Sequence, residues 1–275
     1  MSVREPFSVK ALNIQQNLSI NQGQSMKTLE KLASGFEINR PEDEPMKFFF
    51  AENFRSLNRE LCQALSNTQE GISFVQVAEG GLSEMIHLLM RLKELSVQAA
   101  SGTMGEKGRE FSDLEFQSLK QELSRIANST FFKGSSILNG ELESFEFQVG
   151  IRNTQNDFFH FPAQWINVSL DALEFEEASI LTQDEAQGSL FLIDEALIAL
   201  TTARARLGAL QNRFHSTARL LENLVESAII SHGRLKDADI IDEVSQFKKS
   251  DVLKEYGIAA LGHAHQNLES LLKLL

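Results

Sequence analysis

Two stretches of this chain, far apart in sequence, carry the same apolar rhythm. Val75, Ala78, Leu82, Met85, Leu89 and Leu92 recur at alternating steps of three and four. Ile193, Leu197, Leu200, Leu207, Phe214, Ala218, Leu221, Val225 and Ala228 sustain that rhythm over about five heptads. Such spacing places each set on one face of a long helix. Helices of this length, with little else in the chain to cover them, need partners. The pattern predicts a mainly α protein: a long antiparallel, coiled-coil-like helical bundle formed by the N- and C-terminal halves, with a small β-hairpin element between. It favours an assembly role over catalysis.

Composition narrows the choice. Only 4 prolines and 16 glycines argue against a loop-rich or sandwich fold. A net charge of −12 without a long basic cluster argues against binding nucleic-acid backbones. No run of eighteen apolar residues is present, so no membrane insertion is expected. Met1 to Lys10 lacks the apolar centre of a cleaved leader. A single cysteine, Cys62, excludes an intrachain disulfide and a multi-cysteine metal site. Its neighbours Leu57, Leu61, Ala64 and Leu65 predict that it is buried. Twenty phenylalanines against one tryptophan and one tyrosine favour dry packing.

Along the chain, Ile14, Leu18, Ser25, Leu29, Leu32 and Phe36 mark a thin amphipathic helix ending at Ser34-Gly35. Pro41 and Pro45 make the next segment a connector. Met46 to Ala100 reads as helix, with pauses at Gly71 and Gly80-Gly81 that either bend it or admit a close neighbour. Ser101 to Gly108 reads as a loop, Phe111 to Ala127 as a helix closed by Phe131 to Gly134, and Ser135 to Gly140 as a turn. Within 141–173, Phe145, Phe147 and Val149 alternate with polar residues, and Asp157–Phe161 and Trp165–Leu170 are further strand candidates. A two- or three-stranded element is expected there. Gln183 to Ser231 is the second long helix, Gly233 to Asp239 a break, and Ile240 to Leu275 a weaker helix. Its apolar residues include Ile241, Val244, Phe247, Val252, Tyr256, Ala259 and Leu268. Weak terminal helices of this kind order when something packs on them.

No arrangement for chemistry emerges. His263 and His265 point to different helix faces, and His87 and His215 lie beside the stripes. No His-Glu-x-x-His, phosphate loop or Gly-x-Ser-x-Gly elbow occurs. Glu42-Asp43-Glu44 reads as a solvated run. No catalytic residue, metal site or cofactor is expected. Phe48-Phe49-Phe50 spans more than half a helical turn, so at least one ring leaves the main stripe. It meets either a neighbouring subunit or the second long helix.

Several segments, in order, resemble bacterial flagellins. Leu32-Ala33-Ser34-Gly35-Phe36-Glu37-Ile38-Asn39 is similar to the family's Leu-Ser-Ser-Gly-x-x-Ile-Asn. Glu70 to Gly80 resembles its Asp-Gly-Ile-Ser-x-x-Gln-x-Ala-Glu-Gly, and Arg91 to Gln98 its Arg-x-Arg-Glu-Leu-Ala-Val-Gln. Phe132-Lys133-Gly134, Leu138-Asn139-Gly140 and Phe147 to Gly150 continue the match. Leu207 to Phe214, Asp237-Ala238-Asp239 and Leu271 to Leu275 complete it in the second half. The resemblance covers roughly 11–150 and 188–275.

What the resemblance implies is a structural subunit of an extracellular flagellar filament, a homopolymer that other flagellins join. It implies export by the flagellar secretion system without a cleaved signal, and polymerisation under a cap. Export chaperone, cap and hook-junction proteins are the implied partners. Residues 1–45 and 236–275 are expected to form the filament's inner tube, and 46–235 the helical bundle with its small β element. With few residues between the halves, the chain resembles the minimal type. Where the family continues Asn-x-Ala-x-Asp-Asp-Ala-Ala-Gly-Leu-Ala-Ile, this chain has bulky residues through Met46 to Phe50. Pro41-Glu42-Asp43-Glu44-Pro45 also resembles the Pro-x-Asp-Asp-Pro of a hook-filament junction protein, the alternative reading. Arg91, Leu95 and Glu115 match positions through which flagellins engage an animal innate immune receptor. The same face serves subunit packing.

Overall fold

A computed structural model describes residues 4–273, with side chains defined for Val9 and 11–263. Met1 to Val3, and the side chains of His265, Leu268 and the Leu271–Leu275 motif, lie outside the described residues. The described helices are α1 (Arg4–Ser34), α2 (Pro45–Ala99), α3 (Glu106–Ser129), α4 (Gln183–Lys236) and α5 (Ile240–Lys273). Strands β1 (Phe131–Phe132) and β2 (Ser135–Ser136) form one antiparallel pair, and β3 (Ser144–Gln148) and β4 (Phe158–Pro162) another. The expected mainly α architecture is present. Two compact units are formed, one from 1–58 with 226–275 and one from 59–225.

In the 59–225 unit the two stripes meet. Arg204 pairs with Glu79 and Lys93 with Asp194, so α4 runs antiparallel to α2. Val75, Ala78, Leu82, Met85, Leu89 and Leu92 are buried, as are Ile193, Leu200, Leu207, Phe214 and Leu221. Leu197 and Val225 sit half-buried at the edge. The start of α4 is set by a reciprocal cap: the Glu185 N–H donates to Thr182 Oγ1 (3.2 Å), and the Thr182 N–H donates to Glu185 Oε2 (3.3 Å).

The expected pauses in α2 are close approaches within an unbroken helix. A Cβ on Gly71 would lie 2.4 Å from Phe214 Cζ, and one on Gly81 would lie 2.9 Å from Leu138 and Thr130. A cluster of rings accounts for part of the phenylalanine excess. Phe74 on α2 contacts Phe132, Phe145 and Phe147, while Phe214 on α4 contacts Phe147 and Phe159. Cross-strand neighbours Phe145↔Phe161 and Phe147↔Phe159 place those rings on one face of the β3–β4 hairpin.

In the 59–225 unit four expectations are corrected. First, α3 starts at Glu106 rather than Phe111, because Arg109 donates to Ala99 O (2.9 Å) and draws the turn onto the end of α2. Second, Phe131 to Ser136 is a tight hairpin: Lys133 and Gly134 both take positive φ (50° and 88°), as the two-residue turn demands. Third, Trp165 stands in a 3-10 turn (Ala163–Ile166), edge-on to Phe161 and under the Arg206 guanidinium, so 165–170 adds no strand. Fourth, Cys62 is exposed. It follows the buried Leu61 by one residue, about 100° round the helix, while Ala64 and Thr68 carry the buried stripe.

In the other unit, α1 and α5 pack antiparallel, with Lys31 against Glu243 and Leu18 against Gly257. Gly35 (φ 75°) closes α1 through its N–H to Lys31 O, and Asp239 caps α5 by accepting from the Ile241 and Asp242 N–H groups. The break before α5 is therefore shorter than expected, since α4 continues to Lys236. Phe36 pairs with Asp237 in an isolated antiparallel bridge, reinforced by Glu37 N–H to Lys236 O (2.7 Å) and Ala238 N–H to Gly35 O (3.0 Å). The two connectors are thus tied together.

Candidate assembly interface

The α1–α5 seam inverts the usual pattern. On α1 the partly or fully buried positions include Ala11, Ile14, Leu18, Asn21, Ser25, Thr28 and Leu32, alternating by three and four, with Lys31 beside the last. On α5 they include Glu243, Phe247, Ser250, Lys254, Gly257 and Leu261. Many large apolar side chains nevertheless lie outside. Val9, Leu12, Ile20, Met26 and Leu29 are more than half exposed on α1, and Ile241 on α5 is 84% exposed. Val244, Val252, Leu253, Tyr256 and Ile258 are exposed beside it. Among the described residues expected to form the α5 stripe, only Phe247 is turned partly inward, and Ile241, Val244, Val252, Tyr256 and Ala259 face out. On α1, Leu29 faces out likewise. Covering each such side chain is worth roughly 1 kcal/mol for about half its surface. Large apolar side chains exposed in such number on one helix pair mark an association surface.

A groove of about 410 Å³ runs along the pair, lined by Ile14, Leu18, Ile20, Leu253, Tyr256 and small or amide residues between them. Its walls are apolar or neutral, with nothing to carry out chemistry. Among the described residues no three His, Cys, Asp or Glu side chains gather as a metal site, and no helix is long and apolar enough to cross a membrane. His87, His215 and His263 are exposed.

The Phe48 to Phe50 run divides as its spacing demands. Phe48 is half-buried, while Phe49, Phe50 and Met46 stand exposed, the two exposed rings packed edge-to-face at 5.7 Å. The acidic connector before them is held by ion pairs rather than left free. Arg40 bridges Glu30 and Glu42, Lys27 reaches Asp43, and Lys47 lies between Glu37 and Glu44. Glu30, chiefly through its charge, holds the Arg40 guanidinium above its ordinary value. Lys236 Nζ caps this region from α4, 3.3 Å from Glu52 and over the Phe36 ring.

In the 59–225 unit the structure brings together Arg91 and Glu115, but not Leu95. Arg91 Nε donates to Glu115 Oε1 (2.9 Å), and Nη1 donates to Glu94 Oε2 (3.0 Å). The Glu115 hydrogen bond, then that of Glu94, keeps the guanidinium firmly protonated. Leu95 is buried in the subunit's own core. The exposed groups on these two helices include Met90, Val97, Phe111 and Leu114, with Phe111 73% exposed.

Sequence reasoning missed the outward faces of the terminal helices and the Lys31–Glu243 pair. The signal for both was present: on α5 the three-and-four step starting from Glu243 runs through Phe247, Ser250, Lys254, Gly257 and Leu261. Reading helices by their apolar residues alone passes over such a seam.

Residues 8–142 match the bacterial flagellin N-terminal helical region, and residues 190–275 match the bacterial flagellin C-terminal helical region. Relatives cover nearly the whole chain. A flagellin of Halalkalibacterium halodurans is 32% identical over 268 residues, 98% of each chain. A flagellar filament 33 kDa core protein of Treponema phagedenis is 32% identical over 281 residues, again 98% of each. The fold also resembles the solved structure of a putative flagellar hook-associated protein from Vibrio parahaemolyticus, with a TM-score of 0.59. That likeness spans 71% of this chain and 100% of the other at 17% identity. With both terminal regions matched and end-to-end identity to flagellins, this chain belongs to the bacterial flagellin family.

Proposed function

We propose that this protein is a structural subunit of an extracellular flagellar filament that associates with copies of itself and serves swimming motility. The observation that carries the reading is the outward apolar surface of α1 and α5 around a seam that is largely small and polar. A pair built this way gains little from its own packing and much from neighbours. Family membership and the filament-core relative support the same role. In this reading 1–45 and 236–275 line the inner tube of the filament, and 46–235 form the surrounding bundle. The exposed Met46, Phe49 and Phe50 meet an adjacent subunit.

End-to-end identity with a flagellin and a flagellar filament core protein favours the filament subunit over the hook-junction alternative, which the fold alone would also allow. Family membership supports a reading in which the chain is exported by the flagellar secretion system with a chaperone and grows under cap proteins beyond a hook junction. Arg91 and Glu115 offer a charged, exposed pair to a neighbouring subunit or an animal innate immune receptor. Leu95 contributes by positioning α2 from beneath. The family's structural character supports a non-enzymatic role.

The test is seeded growth. Heat-dissociated protein added to filament fragments should elongate them, as seen by electron microscopy. No elongation by a chain with both terminal helices intact would overturn the assignment.

A further inference from the structure

We infer that the Lys31–Glu243 ion pair and the Leu18–Gly257 contact together fix the register in which α1 and α5 pair. The seam between these contacts is mostly small and polar, so apolar packing alone discriminates poorly between registers one heptad apart. The ion pair does not act as a simple source of stability. Lys31 Nζ lies 2.9 Å from Glu243 Oε1, with the Glu243 side chain 7% exposed, but Glu243 Oε2 is buried without a hydrogen-bond partner. A half-satisfied buried carboxylate is poor stabilisation, and such groups are best attested as determinants of register.

The ion pair's location makes it selective. Lys31 lies one turn from the end of α1, and Glu243 one turn from the start of α5. A one-heptad slip in one direction carries Lys31 beyond Ile240; the opposite slip carries Glu243 beyond Ser34. Either slip strands a charge. The second contact is steric. A Cβ at Gly257 would stand 3.1 Å from Leu18 Cγ and Cδ1, so Leu18 seats where α5 presents no side chain. The contacts are thirteen residues apart along α1 and fourteen along α5, about 20 Å of helix, so both hold in one register.

The test uses the full chain carrying Cys62→Ser, with Ser25→Cys and Ser250→Cys between the two contacts. Oxidation should give one intramolecular cross-link, because a one-heptad slip displaces the positions by about 10 Å, beyond disulfide reach. Lys31→Leu with Glu243→Leu should retain helicity by circular dichroism but lose the cross-link and seeded elongation. The charge-exchanged variant, Lys31→Glu with Glu243→Lys, should restore both. Gly257→Leu should lose the cross-link. An unchanged cross-link in the double-leucine variant would assign register to the Phe36–Asp237 bridge and overturn the inference. So would failure of the exchanged pair to restore it with helicity intact. The inference rests on the filament reading only for its growth readout. A parent chain that cross-links in one register but does not elongate seeds would overturn that reading and leave the register inference standing.

Discussion

Gly71→Ala should change sign with its background. In the interior of a helix, replacing glycine by alanine ordinarily stabilises by about 1 kcal/mol. At this site the new Cβ would fall 2.4 Å from Cζ and 2.5 Å from Cε1 of Phe214, a separation that requires something to move. The ring cannot simply swing aside, because it packs at 5.3 Å against Phe147 and at 5.2 Å against Phe159. Overpacking of this kind costs about 1–3 kcal/mol, enough to cancel or exceed the helix-propensity gain. Phe214→Ala alone should cost about 3–5 kcal/mol by opening a cavity in a fully buried position. Once the ring is gone, however, the added methyl meets open space, and Gly71→Ala should stabilise by about 1 kcal/mol. The double-mutant cycle should therefore show favourable coupling of about 1–3 kcal/mol. Urea unfolding of the monomer, followed by far-ultraviolet circular dichroism, measures all four corners. If Gly71→Ala stabilises the parent as much as it stabilises Phe214→Ala, the close approach does not govern this position.

The remaining predictions test other parts of the fold. Leu207→Asp places an unpaired carboxylate at a position 1% exposed, so the monomer should lose several kcal/mol and its cooperative melt; normal melting would disprove the seam. Lys120, which donates to the carbonyls of Glu176 and Ala178, has its ammonium pKa lowered from 10.5, chiefly by burial. The unfolded chain then binds more protons between the folded value and 10.5, so stability should rise with pH across that window, and Lys120→Gln should lose this increment in denaturation midpoints. Phe49→Ser with Phe50→Ser should leave monomer melting within about 1 kcal/mol but slow seeded elongation; unchanged growth would remove this patch from the interface. Residues 1–45 and 236–275 should be cut by protease in the monomer and protected in the polymer; equal protection in both would detach their ordering from assembly.

Legibility followed from how many residues voted for a feature. The α2–α4 pairing rests on long stripes with one apolar face, so the three-and-four step identified its buried residues. The sheet pairing of Phe145 and Phe147 was readable for the same reason, since alternation has only two faces to choose between. The β1–β2 hairpin was hidden because two-residue strands have no period, and its turn depends on Lys133 accepting positive φ. Cys62 and Trp165 were misplaced by neighbours: each adjoins a patterned segment without sharing its inward face. On α5, apolar residues surround the seam, and their count pointed to the wrong side. Arg91 and Glu115 come from different helices, and only a known family pattern connected them before the structure did.

The two units use apolar residues in opposite ways, and the magnitudes indicate why. In the 59–225 unit, large side chains such as Leu82, Leu89, Phe116 and Phe214 are fully buried, so its stability is internal. In the α1–α5 pair, many large apolar groups face out around a seam that mixes Leu18, Leu32 and Phe247 with Asn21, Ser25, Thr28, Ser250 and a buried ion pair. About ten outward side chains at roughly 1 kcal/mol each give on the order of 10 kcal/mol when covered. Association itself costs an estimated 4–15 kcal/mol in lost freedom. One neighbour touching a few of these residues therefore gains too little to stay. Several neighbours covering most of them at once gain enough, because each further contact on an already ordered pair escapes much of that entropic cost. A surface of many weak contacts favours growth onto an existing end over pairing in solution. It also predicts that truncating any one of Leu12, Met26, Val252 or Tyr256 weakens seeded growth modestly, whereas combined truncations abolish it.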